Sequence, residues 1–245
     1  MKYIKQSLHK VHSKVLFVVA VALFLGCSST KQFQLSKENT NAITLGAIVK
    51  KEGTLKNNIE IKGMPVLDQK LRVSLVEKEF TKASFAQYKK VFNLEKPTVS
   101  YNDTIAKKPI YLEVELIDDI GYASAINQDK STSEYIRNSK KAGVISKIAV
   151  IPQKAIDMTT MTAAFLEPIG NQTYALTLYN EKERLTTIPF SDMVIFDYQT
   201  SFFCYGKNQR NQVVVMDITE EGKACKRPLE RKVKKLEKIK KLVDY

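Results

Sequence analysis

An apolar run from Val15 to Gly26 follows a basic N-terminal stretch and stops at a cysteine, Cys27. Lys2, Lys5, Lys10 and Lys14 supply the basic part, and no acidic residue interrupts it. This is the layout of a secretory signal. Twelve apolar residues fall short of the about 20 that a bilayer-spanning helix needs, so a permanent span is disfavoured. The feature constrains the fold before any strand or helix is read, because it sends the remaining chain to a compartment where disulfides persist.

Leu25-Gly26-Cys27 resembles the lipobox of bacterial lipoproteins, with Phe24 standing where that family usually has Leu. The resemblance covers residues 1–27. It implies a diacylglycerol on the sulfur of Cys27, cleavage after Gly26 and acylation (palmitate) of the new N-terminus. Two or more acyl signals make a stable anchor. Ser28 occupies the place where an aspartate would resemble an inner-membrane retention signal, and Ser29-Thr30-Lys31-Gln32 carry no acidic cluster of the surface-export kind. The resemblance therefore implies an outer-membrane lipoprotein facing the periplasm.

Composition narrows the chemistry. Removing the four lysines of the first 26 residues lowers the formal charge from +13 to +9. The excess is lysine, 33 against 6 Arg, whereas nucleic-acid readers lean on Arg for bidentate base contacts. Secretion and this bias both argue against a nucleic-acid partner. A basic surface instead suits anionic lipid, phosphorylated glycolipid or an acidic partner. His9 and His12 are the only histidines and both leave with the signal, which excludes Ser-His-Asp and Cys-His sites in the mature chain. The expectation is a protein that is not an enzyme and takes no cofactor or metal. Cys204 and Cys225 remain after Cys27 is lipidated, and one pair in an exported protein most simply forms one disulfide.

Residues 27–40 read as a tether, 41–227 as the globular domain with a subdomain boundary conceivable near 152–160, and 228–245 as a basic helix. Strands are expected over Ala42–Val49, around Ile59–Ile61 and over Leu71–Leu75. Thr81 can cap a helix carrying Phe85, Tyr88 and Phe92 on one side, which reads as core contact or, less simply, a ligand-facing stripe. Leu112, Val114 and Leu116 alternate with Glu113 and Glu115; the segment reads as a strand, or as a helix running on through Gly121 to Ile126. Ser131 to Glu134 has capping-box spacing for a helix stopping at Gly143. Val144–Ile151 reads as a central strand, and Tyr174–Leu178 with Leu185–Ile188 as a hairpin. Met193–Phe196 and Val213–Ile218 complete the strands. The fold class is α+β: a mostly antiparallel sheet, two or three packed helices and a C-terminal amphipathic helix.

Three groups of residues stand out. Glu113, Glu115, Asp118 and Asp119 form the dense acidic cluster, either a wet strand face or a carboxylate or cation site. Phe202, Phe203 and Tyr205 either pack around the disulfide or form an exposed partner patch. Arg231, Lys232, Lys234, Lys235, Lys238, Lys240 and Lys241 line the last segment, whose apolar stripe is Leu229, Val233, Leu236 and Val243. That helix would lie on anionic membrane, dock an acidic partner, or pack on the domain with its lysines in water. The functional expectation is a non-catalytic structural or accessory subunit of an envelope assembly with a protein partner. The alternative is a periplasmic module binding peptidoglycan, lipopolysaccharide or a small ligand; a carboxylate hydrolase ranks last.

Overall fold

Alternation of apolar and polar residues builds most of this molecule. The computed structural model describes residues 43–52, 59–91, 99–104, 106–170 and 173–237. Its strands are β1 (Ile48–Lys51), β2 (Ile59–Gly63), β3 (Leu71–Glu79), β4 (Ile110–Leu116), β5 (Ala142–Pro152), β6 (Ala163–Gly170), β7 (Thr173–Asn180), β8 (Glu183–Pro189), β9 (Met193–Lys207) and β10 (Val213–Glu220). They form one curled antiparallel sheet in the order β10-β9-β5-β4-β3-β6-β7-β8. One edge of β5 is shared: β4 pairs with Leu112 to Glu115 opposite Val150 to Lys147, and β1 takes Val144 to Ala142. β9 lines the other edge. The continuous β-branched run Val144–Ile151 is thus central, with both its edges paired.

Each face of the sheet has its own cover. On β4, Leu112, Val114 and Leu116 point into the main core; on β5, Val144, Ile148 and Val150 do the same. Helices α2 (Asp119–Gln128) and α3 (Lys130–Asn138) close that side with Tyr122, Ile126 and Ile136, all fully buried. The intervening residues Tyr111, Ala149, Ile151 and Phe196 face the other way. There α1 (Lys82–Val91) brings Phe85 and Tyr88 against Phe80 and Phe196. Phe80 meets Phe85 edge-on and stacks on Phe196 at centroid distances of 5.7 and 5.5 Å. Such pairs add about 0.5–1.5 kcal/mol beyond area burial. Thr81 caps this helix, accepting from the Ser84 N–H at 3.1 Å. The aromatic stripe is therefore core contact at Phe85 and Tyr88; Phe92 lies outside the described residues.

Several elements differ from expectation for local reasons. The first strand begins only at Ile48, after a turn at Gly46 with φ of 83°. Residues 110–126 are strand and then helix, because Asp118 stops β4 and caps α2 through the Gly121 N–H at 2.8 Å. The capping residue of α3 is Asp129, two positions before Ser131. Its Oδ1 accepts from the Ser131 and Thr132 N–H groups, both at 3.1 Å. Burial pushes this carboxyl up, but the hydrogen bonds from Ser131 and Thr132 prevail and hold it below the ordinary aspartate range. Helix α3 ends at Asn138, and Gly143 lies within β5. The segment 153–162 joins two strands of the same sheet, β5 and β6, and the described residues fall in one compact unit. The described helical residues near the C-terminus are 233–237, so Pro228 is not their first position. Among the described residues, no helix is long and apolar enough to cross a membrane.

Candidate functional site

Strand β9 carries Phe202 to Tyr205 near its end; its pairing with β5 runs as far as Phe202, opposite Gly143, and the edge beyond is open to another strand. Cys204 is fully buried and bonded to Cys225, with Cα atoms 5.8 Å apart. Beyond that bond the chain reaches the free edge of Tyr205. Glu230 exchanges both backbone hydrogen bonds with it, at 2.8 and 2.9 Å. This extended pairing competes with helix formation and explains why helix starts only at 233. Residues 225–230 are thus a strap held at two points. Leu229 packs beside Gly206, where a Cβ would meet its Cδ2 at 2.9 Å. Val233 and Leu236 continue the contact into the core.

The strap aims its charges. The Arg231 guanidinium sits 4.1 Å from the centroid of the Phe202 ring. Such stacking holds the planar group in place and leaves its N–H edge available. Arg231, Lys232, Lys234 and Lys235 are all exposed. Lys235 pairs with Glu230 at 3.0 Å. Lys238, Lys240 and Lys241 lie outside the described residues, as does Cys27.

Phe202, Phe203 and Tyr205 are 9%, 2% and 4% exposed, which agrees with packing around the disulfide and not with an exposed patch. Phe203 and Tyr205 point into the main core, and Arg231 covers Phe202. The Tyr205 hydroxyl donates to the Ile136 carbonyl at 3.0 Å, using one of the carbonyls that the end of α3 leaves free. Burial pushes its pKa up to about 12, with Arg137 opposing.

The same aromatics still line a groove of about 230 Å³. Arg231 and Lys232 line it together with Ser139, Lys140 and Ala142, which lie between the end of α3 and the start of β5. Three cations and no carboxylate face this space. Sequence reasoning set the aromatics beside the disulfide, or on an exposed patch, and the cations on a terminal helix that meets membrane, an acidic partner or solvent. It missed Lys140, which it placed inside a longer helix. The helix instead starts two residues earlier, at the Asp129 cap, and ends at Asn138, which leaves Lys140 in the connection to β5.

The acidic cluster is dispersed into separate roles. Lys147 of β5 lies between Glu115 at 2.9 Å and Glu113 at 3.4 Å. Burial lowers the Lys147 pKa, but the two carboxylates outweigh it and raise it. Asp118 is engaged as the α2 cap. Asp119 is half-buried; burial, then the Asp217 charge, pushes its pKa to about 6, with Lys226 opposing. Among the described residues, no three His, Cys, Asp or Glu side chains gather as a metal site.

A second, larger groove of about 780 Å³ runs between α3, the β9–β10 turn and residues 233–237, lined by Asn127, Arg137, Lys207 and Gln212 among others. No family description, no curated protein and no solved structure matches this chain.

Proposed function

We propose that this chain is a lipid-anchored envelope protein, tethered to the outer membrane through Cys27 on its periplasmic side. It acts there as a non-catalytic accessory or structural subunit. The observation that carries this reading is the strap: a disulfide and a two-hydrogen-bond bridge hold Arg231 and Lys232 in fixed positions at the surface. A face ordered before binding loses less entropy on docking, so it suits a permanent partner interface. The pairing of Glu113 and Glu115 with one shared cation, Lys147, supports a structural role for these carboxylates on the sheet face.

The test is affinity purification from crosslinked cells, using full-length tagged protein beside a Cys27→Ala control. Envelope proteins in stoichiometric amount, recovered with the lipidated form alone, are the expected result. Recovery of no partner by either form defeats the reading.

One observation favours the second reading, a binding module for peptidoglycan or lipopolysaccharide. The 780 Å³ groove lies within the size range of ligand sites and is lined by hydrogen-bonding side chains. Retention of the full chain on purified peptidoglycan, lost in Arg137→Ala, would establish it.

A further inference from the structure

We infer that the groove between Phe202, Arg231, Lys232 and Lys140 is a binding site for a phosphate monoester. The inference goes beyond the accessory-subunit reading and stands without it, because it rests on the groove alone. Its first support is charge. Among the described residues, no acidic side chain pairs with Arg231, Lys232 or Lys140. Three cations face one space with no carboxylate in its wall. A carboxylate ligand offers one negative charge, whereas a phosphate monoester carries about −1.5 to −2 at neutral pH and three acceptor oxygens, the closer match.

Geometry is the second support. Arg231 is stacked at 4.1 Å on a nearly buried Phe202 ring, so its guanidinium plane is set before a ligand arrives. A planar fork held this way can bind two phosphate oxygens at once, as a freely rotating lysine cannot. Lys140 and Lys232 add two point charges to the lining, and Ser139 lies beside Lys140 in it. The Tyr205 hydroxyl donates to the Ile136 carbonyl and so draws on one of the helix-end acceptors that would otherwise repel an anion. Construction also counts. The lining positions are fixed by the Cys204–Cys225 bond, the Tyr205–Glu230 bridge and the end of α3. At about 230 Å³ the space accommodates the phosphate and the first part of what bears it.

The phosphate can belong to a soluble ester or to a lipid headgroup, and two arms separate these sources. The full-length lipidated chain is held in neutral maltoside micelles. One arm adds inorganic phosphate or glycerol 3-phosphate; the other adds micelles doped with phosphatidic acid. Binding is read by isothermal titration calorimetry. Saturable binding in the first arm identifies a soluble phosphate site, and binding confined to the second identifies a headgroup site. Arg231→Ala is expected to weaken binding about ten-fold or more, as loss of a bidentate charge-assisted pair should. Arg231→Lys keeps the charge but loses the fork, and is expected to recover only part of the affinity. Lys182→Ala, on the β7–β8 turn, removes the same net charge away from the groove and is expected to leave binding unchanged. Absence of binding in both arms overturns the inference. So does equal weakening by Arg231→Ala and Lys182→Ala, which would mean general attraction to a basic protein.

Discussion

Tyr135 and Tyr205 both carry buried hydroxyls beside α3, yet they do opposite things. The Tyr205 hydroxyl satisfies the Ile136 carbonyl at 3.0 Å. The Tyr135 hydroxyl is buried and has no hydrogen-bond partner among the described residues. Removing a satisfied donor leaves a buried acceptor behind, while removing an orphaned one leaves nothing unpaired. Tyr205→Phe is therefore expected to cost about 1–2 kcal/mol, and Tyr135→Phe to be neutral or stabilising, as read by urea unfolding. Asp119 supplies the pH-dependent counterpart. Its folded pKa of about 6 lies above the ordinary 3.8, because burial and Asp217 disfavour its charge. A raised pKa means that the folded state binds the proton more tightly. The resulting stabilisation is present in full below about pH 4, declines as pH rises toward 6, and is absent above it. Asp119→Asn is expected to raise the urea midpoint at pH 7 and to leave it unchanged at pH 3.5. A benefit equal at both pH values would assign the effect to packing rather than ionisation.

Gly143 shows what an element demands that a residue list hides. After a polar helical stretch it has the look of a helix terminator, but it sits in β5 opposite Phe202. A Cβ there would lie 2.7 Å from the Ser201 carbonyl oxygen, a backbone atom that can move only with its strand. Gly143→Ala is expected to destabilise by about 1–3 kcal/mol in urea unfolding, the usual cost of forcing atoms into a packed region. Strands with strict alternation, such as Leu71–Leu75, were legible from sequence because the period itself reports the buried face, whereas Leu112–Leu116 stayed open between strand and helix. β6 was not legible: Ala163, Ala164 and Pro168 blur both its propensity and its alternation, and pairing with β3 and β7 decides it. Likewise the disulfide was legible by elimination and the packing of aromatics around it by analogy with ordinary cores, whereas the strap that returns from beyond β10 to cover Phe202 was not. That strap gives a further expectation. Replacing Cys204 and Cys225 by Ala should cost about 3 kcal/mol for a loop of this length. It should also speed amide exchange at Tyr205 and Glu230, whose mutual bonds then hold the strap alone. Unchanged exchange at both would mean that the bridge and Leu229 suffice.

At the scale of the whole molecule, two forces compete to place the domain, and their ranges differ. Fifteen residues separate Cys27 from Ile43, where the described structure begins, and sixteen extended Cα–Cα steps reach about 55 Å at most. Charge attraction to a membrane fades over a Debye length of about 8 Å at physiological salt. Each lysine near an anionic surface contributes about 1 kcal/mol, and only within that distance. The lipid on Cys27, as proposed, acts at any salt concentration; the Arg231–Lys235 face acts only at contact. On the proposed reading, the anchor decides attachment and the basic face decides orientation. Membranes carrying the protein are expected to retain it through a wash in 1 M salt, and intact mass measurement is expected to give a chain starting at Cys27 with diacylglycerol and a third acyl group. Crosslinking from Lys232 to its neighbours should fall in the same wash, because its attraction is screened while the tether persists. Release of the protein by salt, or an unmodified Cys27, would instead make charge the attachment and remove the anchor from the proposal.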